Sequence, residues 1–317
     1  MSSVTEFGNI GVLMGGYSSE REISLRSGQG VFDALTKAGY QAIAIDITIH
    51  DKHKIKEQVS EAGIDIAFIA LHGRLGEDGV IQSILEELNI PYTGSGVVAS
   101  QKAFNKTITQ KIFSAHGLPV PEHFCITDGQ RRDFKEVFGA LKKLPFVMKA
   151  ACEGSSIGIY MVRHPSQWDG TIKDTLGFGP YAIIEKYIKG REITAGIFDR
   201  EALPLVEIRA KSGMFDFKSK YQNGLTEYDV PARLEDALSV KIKKMALAAH
   251  DAIGCEGFSR IDVRLDEKNE PFILEINTIP GFTPTSLFPK AAAHAGYSFL
   301  DVCTKLLTIA NGKKAQH

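Results

Sequence analysis

The chain has 317 residues, of which 44% are hydrophobic and 24% charged, a composition typical of a folded globular protein with two or three domains. Its formal net charge of −1 does not favour nucleic acid or an anionic membrane surface as a partner. No apolar stretch reaches the roughly 18 residues of a membrane-spanning helix, and the first residues lack a signal-peptide pattern. The four cysteines have no CxxC spacing, so we expect a cytoplasmic protein with neither a disulfide framework nor a zinc site.

Short apolar runs alternate with helical stretches along residues 1–96. In chain order, the predicted strands and helices are 10–16, 24–40, 41–47, 65–73 and 79–90. Alternation of this kind predicts a parallel sheet flanked by helices, which is an α/β domain. The turn-rich segment PYTGSG predicts that this N-terminal domain ends at residue 96.

Residues 97–184 are predicted to form a central α+β domain. It begins with a helix over 99–117, and two later apolar runs, LPFVMKA and IGIYMVR, form strands around a glycine-containing loop at 151–158. A C-terminal domain, 185–317, completes the chain. Its predicted parts are strands in TAGIFD and LPLVEIRA, a polar segment over about 211–228, a helix over 234–253, a hairpin over 258–277 and a helix over 297–310.

The C-terminal hairpin has an apolar face in its predicted register, with the turn centred on Lys268 and Asn269. The predicted apolar pairs are Ile261 with Ile276, Val263 with Leu274 and Leu265 with Phe272. Residues two apart share one face of a strand, so a slip by one residue would mix polar with apolar side chains.

The other face of this hairpin places Asp262 opposite Glu275 and Arg260 opposite Asn277. Two carboxylates directly across a strand pair repel each other, so a cation is expected beside them. Two interpretations remain open from these residues alone. The face is either solvated, with water screening the charges, or a magnesium site whose oxygen ligands also hold substrate phosphates.

A phosphate site is one interpretation of the glycines and lysines in the middle of the chain. Gly154 and Ser155 in ACEGSSIG would let backbone N–H groups approach a phosphate, although such a loop is also compatible with a plain turn. Lys149 interrupts an apolar strand, where a charge is costly unless it meets an anion. The P-loop pattern GxxxxGK[ST] and the GxGxxG fingerprint are both absent, which disfavours a dinucleotide-dependent oxidoreductase.

Three polar residues lie at or near the ends of apolar strands. Glu185 and Lys186 follow such a run and mark either a strand edge or a contact for an adenine ring. His72 ends the run before HGRLGEDG, a position where α/β sheets place ligand contacts, although turn histidines are common.

Several motifs together resemble those of the D-alanine–D-alanine ligases in order and approximate spacing. They are GGYSSEREISLRSG, LHGRLGEDG, PYTGSG, EGSSIG, FDFKSKY, RIDV and EINTIPGFTPTSLFP, which cover the chain from about residue 11 to residue 310. That family has the ATP-grasp fold, an α/β fold with a central α+β part. The resemblance therefore implies three domains, with ATP held between the central and C-terminal domains.

The resemblance implies a two-step reaction. ATP phosphorylates the carboxylate of one D-alanine to an acyl phosphate, and the amine of a second D-alanine then attacks the acyl carbon. The enzyme would neutralise charge and align the reactants.

The resemblance also implies roles for individual residues. The implied ligands of two Mg²⁺ ions, with Mn²⁺ as a substitute, are Asp262, Glu275 and Asn277. The implied catalytic residues are Glu20, Ser155, Tyr221, Arg260 and Gly281. The implied substrate contacts are His72, Asn277, Ser286 and Leu287. The implied ATP contacts are Lys106, Lys149, Glu185, Lys186, Ile188, Glu192 and Lys220. Glu20 would anchor the first D-alanine's ammonium group, Arg260 and the Gly281 N–H would stabilise the oxyanion, and Ser286 would bind the second substrate's carboxylate.

Residues 211–228 match the family's lid, which closes over ATP and keeps water from the acyl phosphate. Tyr221 in this segment favours D-alanine over D-lactate as the second substrate. The chain departs from the usual family pattern at Asn105, Ala150 and Phe217, none of which is an implied ligand.

Two other functions compete with this assignment. Another ATP-grasp ligase, joining a different carboxylate to an amine or hydroxyl, would share Asp262, Glu275 and the lysines but differ at Glu20, Ser155, Tyr221 and Ser286. A ligase joining D-alanine to a D-hydroxy acid would differ at the lid position of Tyr221. A nucleotide sensor without activity would lack some of the metal ligands or lysines. The resemblance implies D-alanine and ATP as binding partners, a homodimer, and a cytoplasmic role in peptidoglycan precursor synthesis.

Overall fold

The computed structural model describes residues 6–154, 157–210 and 226–314. The strands in these ranges form three sheets, which follow one another along the chain. Within the same ranges, no helix combines the length and the apolar character needed to cross a membrane.

The N-terminal sheet is parallel, as predicted, because helices connect its strands. Its strands are β1 (Ile10–Gly15), β2 (Ala42–Ile47) and β3 (Ile66–Ile69), and its helices are α1 (Arg21–Lys37), α2 (Lys52–Glu61) and α3 (Val80–Glu87). Strand β1 lies between β2 and β3, and all six of its residues are buried. The central strand is therefore covered on both faces, which explains its continuous apolar sequence.

The predicted helix over 99–117 is wrong as a single element, because the chain breaks at Asn105. Two helices replace it, α4 (Val97–Phe104) and α5 (Lys106–Ala115). Asn105 has an extended backbone, and its side-chain oxygen accepts hydrogen bonds from the N–H groups of Thr107 and Ile108. Asparagine is a strong helix N-cap for this reason. The break places Lys106 at the first position of α5.

The middle sheet is antiparallel, with strand order β4-β7-β5-β6. Its elements are β4 (His123–Thr127), α6 (Phe134–Leu141), β5 (Phe146–Ala150), β6 (Ile159–Val162), a 3₁₀ turn (Pro165–Gln167), α7 (Trp168–Leu176) and β7 (Tyr181–Lys186). Phe146, Met148 and Trp168 form part of its core. The two strands predicted on either side of the loop at 151–158 are confirmed as β5 and β6.

The C-terminal sheet is also antiparallel, in the order β11-β10-β8-β12-β13, with β9 paired to β8. Its strands are β8 (Arg191–Phe198), β9 (Glu201–Ala202), β10 (Val206–Ala210), β11 (Thr226–Asp229), β12 (Phe258–Leu265) and β13 (Pro271–Asn277). Its helices are α8 (Asp236–Ile253), α9 (Leu287–His294) and α10 (Phe299–Lys314).

Helices and sheets from different parts of the chain share their cores. Ala99, Ala103 and Phe113 of α4 and α5 are buried with the residues of the C-terminal sheet. Phe282 and Phe288, which follow the hairpin, are buried with the N-terminal sheet. The division into domains 1–96, 97–184 and 185–317 stays a prediction.

The predicted hairpin register is confirmed for half of the hairpin and wrong for the other half. Arg260 pairs with Asn277, Ile261 with Ile276 and Asp262 with Glu275, as predicted. A β-bulge then shifts the register, so that Val263 pairs with Ile273, Arg264 with Phe272 and Leu265 with Pro271. A bulge adds one residue to one strand, so β13 contributes Ile273 and Ile276 to the core instead of alternating strictly.

Replacing Asn105 tests the break between α4 and α5. We expect Asn105→Ala to lower the free energy of unfolding by about 1 kcal/mol, because two N–H groups lose their acceptor. The urea unfolding midpoint measures this loss. Asn105→Asp keeps a capping oxygen and is the matched control, with a midpoint close to that of the wild type. Equal midpoints for Asn105→Ala and the wild type would contradict the capping role.

Candidate active site

A cavity of about 520 Å³ lies where α1, the segment after β3, the start of α5 and the C-terminal hairpin meet. Among the residues that the structure describes, it brings together nine of those selected from sequence. They are Glu20, His72, Lys106, Arg260, Glu275, Asn277, Gly281, Ser286 and Leu287. Ala103 and Ile276 form an apolar part of the cavity wall. The fold therefore collects residues from 20 to 287 around one space.

Glu20 lies at the N-terminal end of α1 and is only 8% exposed. Two glycines make room for its carboxylate. A Cβ atom at Gly154 would lie 2.5 Å from Glu20 Oε2, and one at Gly73 would lie 2.9 Å from the same oxygen. A side chain at either position would displace the carboxylate. A buried carboxylate held between two glycine backbones is suited to a charged hydrogen bond with an ammonium group.

The turn that leads to Glu20 is held by Arg21. Both Nη atoms of Arg21 donate to the Asp46 carboxylate, at 2.8 and 2.7 Å, and Nη1 also donates to the carbonyl of Gly16 at 3.1 Å. Gly15 has φ +86°, and a Cβ atom there would lie 2.0 Å from Asp46 Oδ1. A glycine is required at this position, and the resulting tight turn fixes the start of α1.

His72 is buried and joins two distant segments. Its Nδ1 lies 3.1 Å from the carbonyl oxygen of Ile279, an acceptor, so we assign the hydrogen to Nδ1. Its Nε2 then accepts from the Ser27 hydroxyl at 2.9 Å. Glu77 Oε1 lies 3.7 Å from Nδ1 and accepts from the N–H of Gly73 at 3.1 Å. Both ring nitrogens are engaged, which fixes the ring as part of the cavity wall.

Cations compensate the two hairpin carboxylates. Arg260 donates to both oxygens of Asp262, at 2.9 and 2.8 Å, and Thr194 donates to Asp262 Oδ1 at 2.8 Å. Lys106 Nζ lies 3.4 Å from Glu275 Oε2. Glu275 lines the cavity and keeps 30% of its side chain exposed, whereas Asp262 is buried beside it.

Lys149 and Glu185 form a buried ion pair outside the cavity lining. Their Nζ and Oε2 atoms are 2.6 Å apart, with side-chain exposures of 8% and 3%. Burial acts to lower the pKa of Lys149, but the negative charges of Glu185 and Glu275 outweigh it and raise that pKa. The lysine predicted to need an anion therefore has one inside the protein.

The other predicted nucleotide contacts lie between the end of β7 and the start of β8. Glu192 accepts from Arg264 at 3.0 Å, directly across β8 and β12. Lys186 is partly exposed and lies 3.3 Å from the carboxylate of Glu122. Ile188 is buried. With Lys149 and Glu185, these residues occupy the junction of the middle and C-terminal sheets, apart from the cavity residues.

Ser286 immediately precedes α9 and lines the cavity together with Leu287, so this helix begins at the cavity wall. Its hydroxyl accepts from the N–H of Thr283 at 3.1 Å and lies 2.8 Å from the Thr283 hydroxyl. A Cβ atom at Gly281 would lie 3.2 Å from Ser286 Oγ. Gly281, Ser286 and Leu287 are thus packed into one short turn at the cavity wall.

Three predicted site residues, Ser155, Lys220 and Tyr221, lie outside the described residues. The same is true of the predicted lid from 211 to 225, while residues 226–228 belong to β11. Among the described residues, no group of three or more His, Cys, Asp or Glu side chains could hold a metal ion.

Sequence reasoning did not select several residues that line the cavity. They are Ile23, Arg26, Glu77, Glu153, Tyr228 and Thr283. Glu77 and Glu153 lie inside the motifs LHGRLGEDG and EGSSIG, so these motifs could have indicated both residues as candidates for the site. Arg26 follows Ile23 by three residues on α1, which places both on one face of the helix.

Comparison with known proteins gives the class and then the family. Solved structures that match along nearly the whole chain include the Bacillus anthracis D-alanine–D-alanine ligase complexed with ATP, 31% identical, with a TM-score of 0.85, covering 97% of this chain and 99% of that chain. The VanG D-Ala:D-Ser ligase of Enterococcus faecalis is 27% identical, with a TM-score of 0.81, covering 95% and 99%. The fold is that of an ATP-grasp ligase, as expected from the motifs.

The family model for the D-ala D-ala ligase N-terminus matches residues 9–62 and 49–95. The model for the D-ala D-ala ligase C-terminus matches residues 112–308. The D-alanine–D-alanine ligase of Desulforudis audaxviator is 46% identical over 305 residues, covering 95% of this chain and 98% of the relative. That of Pelotomaculum thermopropionicum is 43% identical over 311 residues, covering 95% and 96%. The chain belongs to the D-alanine–D-alanine ligase family.

Lys149→Met tests the buried pair. We expect a loss of about 3–5 kcal/mol in the free energy of unfolding, because Glu185 is left buried without its cation. The double variant Lys149→Met with Glu185→Gln removes both charges and should recover most of that loss. Urea unfolding of the wild type, the single variant and the double variant measures both effects. If Lys149→Met were as stable as the wild type, Glu185 would not be a buried charge that needs Lys149.

The pH dependence of this pair follows from the raised pKa of Lys149. The stability it contributes is present below the ordinary lysine value of 10.5 and is lost as pH rises through the higher folded value. The difference in urea midpoint between wild type and Lys149→Met should therefore be constant from pH 7 to 9 and shrink above pH 10.5. A difference that falls with decreasing pH would have the opposite sign and contradict this assignment.

Proposed function

We propose that this chain catalyses the ATP-dependent joining of two D-alanine molecules to D-alanyl-D-alanine. The observation that carries the proposal is the cavity in which Glu20, Arg260, Gly281 and Ser286 converge. It offers a buried carboxylate for an ammonium group, donors for an oxyanion, and a helix N-terminus for a carboxylate. Membership of the family supports the same reaction.

ATP fits the junction of the middle and C-terminal sheets. Glu185 Oε1 is buried and accepts no hydrogen bond from any residue that the structure describes. A buried acceptor without a donor is costly, and the exocyclic amine of adenine is a donor that would satisfy it. We propose that Lys149, Lys186, Ile188 and Glu192 bind the nucleotide with Glu185, and that Lys106 and Lys220 contact its phosphates.

The residues of the hairpin also fit magnesium. Asp262 and Glu275 are cross-strand neighbours, and Asn277 lies two residues further along the same face. Carboxylate and amide oxygens are suitable ligands for Mg²⁺, which also binds phosphates, and Mn²⁺ accepts similar ligands. Two such ions would neutralise charge on the phosphates of ATP. Arg260 and Thr194 hold the Asp262 carboxylate in place for this role.

In the first step, a carboxylate oxygen of the donor D-alanine attacks the γ-phosphorus of ATP. The bond between the γ-phosphorus and the β–γ bridging oxygen breaks, and ADP leaves with that oxygen. Glu20 holds the donor's ammonium group, which orients the carboxylate towards the phosphate. Ser155 and Tyr221 are proposed to support Glu20 in this role.

In the second step, the neutral amine of the acceptor D-alanine attacks the acyl carbon. The carbonyl oxygen becomes an oxyanion, which Arg260 and the N–H of Gly281 stabilise. The tetrahedral intermediate collapses when the carbon–oxygen bond to phosphate breaks. Inorganic phosphate leaves with the donor's original oxygen and takes up the proton that the amine nitrogen loses. Ser286, Leu287 and the N-terminus of α9 bind the acceptor's carboxylate, with His72 beside them.

The acceptor substrate of the proposed reaction has a second candidate. The VanG neighbour is a D-Ala:D-Ser ligase with a TM-score of 0.81, so D-serine is a second candidate for the acceptor. Tyr221 in the proposed lid favours D-alanine. We further propose a cytoplasmic homodimer that supplies the dipeptide for peptidoglycan precursors.

Phosphate release by the purified protein tests the proposed function. ATP and magnesium are supplied with D-alanine, L-alanine, D-alanine plus D-serine, D-alanine plus D-lactate, or no amino acid, and product masses are determined. We expect release that depends on D-alanine and a product with the mass of the dipeptide. Release without a dipeptide would leave an ATP-grasp ligase of another specificity, and no release would contradict catalysis altogether.

Glu275→Gln tests the proposed metal ligand. We expect kcat to fall by at least about 100-fold, because a neutral amide oxygen binds Mg²⁺ more weakly than a carboxylate does, and the ion that would neutralise the phosphates is then held less firmly. Glu270→Gln is the matched control, since Glu270 lies in the same hairpin and pairs with Lys241 on the surface. The measurement is kcat of both variants and of the wild type from steady-state rates at saturating magnesium. Equal kcat values for both variants would remove Glu275 from the mechanism.

A further inference from the structure

An ion pair outside the assigned catalytic set links two separate parts of the active site. Arg74 Nη2 donates to Glu153 Oε1 at 3.0 Å. Arg74 lies between β3 and α3, next to the N-terminal sheet, whereas Glu153 lies in the loop after β5 of the middle sheet. We propose that this pair, here called the loop bridge, is a positioning device that holds the loop 151–154 in its catalytic place. This inference rests on the proposed function.

The Arg74 side of the loop bridge is rigid. Glu77 accepts from the N–H of Gly73 at 3.1 Å, and Asp78 accepts from the N–H groups of Leu75 and Val80 at 3.0 and 3.1 Å. Leu75 is fully buried and has φ +79°, a conformation that non-glycine residues rarely adopt. The surrounding contacts hold this strained turn, and it directs Arg74 towards the middle sheet.

The Glu153 side is held by the middle sheet, where the N–H of Ala151 donates to the carbonyl of Tyr181 at 3.1 Å, and also by contacts from outside that sheet. Lys106 Nζ donates to the carbonyl of Glu153 at 2.6 Å, and the N–H of Lys106 donates to the carbonyl of Ala151 at 2.9 Å. Glu153 also lines the cavity, with 18% of its side chain exposed. Arg74 thus ties this loop to the segment after β3 through an ion pair, while Lys106 ties it to α5.

The position of this loop affects binding of the donor substrate, because the loop contacts Glu20. A Cβ atom at Gly154 would meet Glu20 Oε2 at 2.5 Å, so the loop backbone and the proposed ammonium anchor are in direct contact. Ser155, proposed to support Glu20, follows directly. A loop displaced by about 1 Å would weaken both the donor site and the nearby phosphate contacts, and such displacements can cost up to about 100-fold in rate. Ser286, in the proposed acceptor site, instead has polar contacts with Thr283 and Lys290 of its own turn and helix.

The first arm of the experiment measures kinetics of Arg74→Ala in the full-length protein. We expect KM for the donor D-alanine and for ATP to rise about 3- to 10-fold, with KM for the acceptor unchanged. A two-site fit to the D-alanine dependence separates the donor and acceptor constants. Arg74→Lys should recover most of the loss, and 0.5 M KCl should reduce the difference between Arg74→Ala and the wild type, because salt screens an exposed ion pair.

The matched control is Arg131→Ala. Arg131 is 53% exposed, like Arg74 at 51%, and pairs with Asp128, but it lies away from the cavity. Its kinetic constants should equal those of the wild type. Arg74→Ala combined with Glu153→Gln should be no worse than the more impaired single variant, since each removes the same contact.

The second arm measures hydrogen exchange without substrates, so it does not depend on the proposed function. Peptides covering residues 151–158 should exchange at least about threefold faster in Arg74→Ala than in wild type or Arg131→Ala. Unchanged exchange and unchanged donor and ATP constants in Arg74→Ala would overturn the loop bridge. If the wild type makes no dipeptide, the proposed function fails, and the exchange arm still decides whether Arg74 holds the loop.

Discussion

The repulsion between Asp262 and Glu275 is the constraint around which this site is organised. Their strands place the two carboxylates directly opposite each other, where like charges destabilise a strand pair. Arg260 engages Asp262 through two hydrogen bonds, and Lys106 approaches Glu275. Each carboxylate therefore has a cation within the protein, and each remains next to a cavity that suits a phosphate-bearing substrate.

These cations depend on local structure elsewhere in the chain. Lys106 reaches Glu275 because Asn105 ends one helix and caps the next, which places the lysine in the first turn of α5. The same lysine holds the carbonyl of Glu153 in the loop after β5. One capping asparagine thus connects helix formation, charge compensation on the hairpin and the position of the glycine loop.

Sequence predicted the parts of the fold that depend on strong local patterns. The parallel N-terminal sheet followed from apolar runs alternating with helical spacing, and the pairing of Asp262 with Glu275 followed from strand alternation. The second half of the hairpin did not, because Phe272 and Leu274 are as apolar as Ile273. The hydrophobic pattern could not distinguish the register with a bulge from the register without one. In the structure, Gln110 donates to the Leu274 carbonyl at the bulge, a contact between residues 164 positions apart.

The same limit applies to the site. Motif resemblance selected Glu20, His72 and Ser286, and the fold brings them to one cavity. It did not predict that Glu185 would neutralise Lys149, since that contact depends on the register between β5 and β7. Arg74 lay inside a recognised motif, yet its pairing with Glu153 depends on the packing of two separate sheets. The sequence thus indicated many of the residues of the site, but it did not predict the contacts that form between different strands and sheets.

In the proposed reaction, the donor's carboxylate attacks the γ-phosphorus of ATP in this cavity. The most direct test uses D-alanine labelled with ¹⁸O in both carboxylate oxygens, with the mass of the released inorganic phosphate determined after turnover. We expect one ¹⁸O atom in each phosphate, because the phosphate carries away the donor's oxygen when the tetrahedral intermediate collapses. Dipeptide formation with unlabelled phosphate would contradict it, since the carboxylate would then have been activated without bonding to phosphorus.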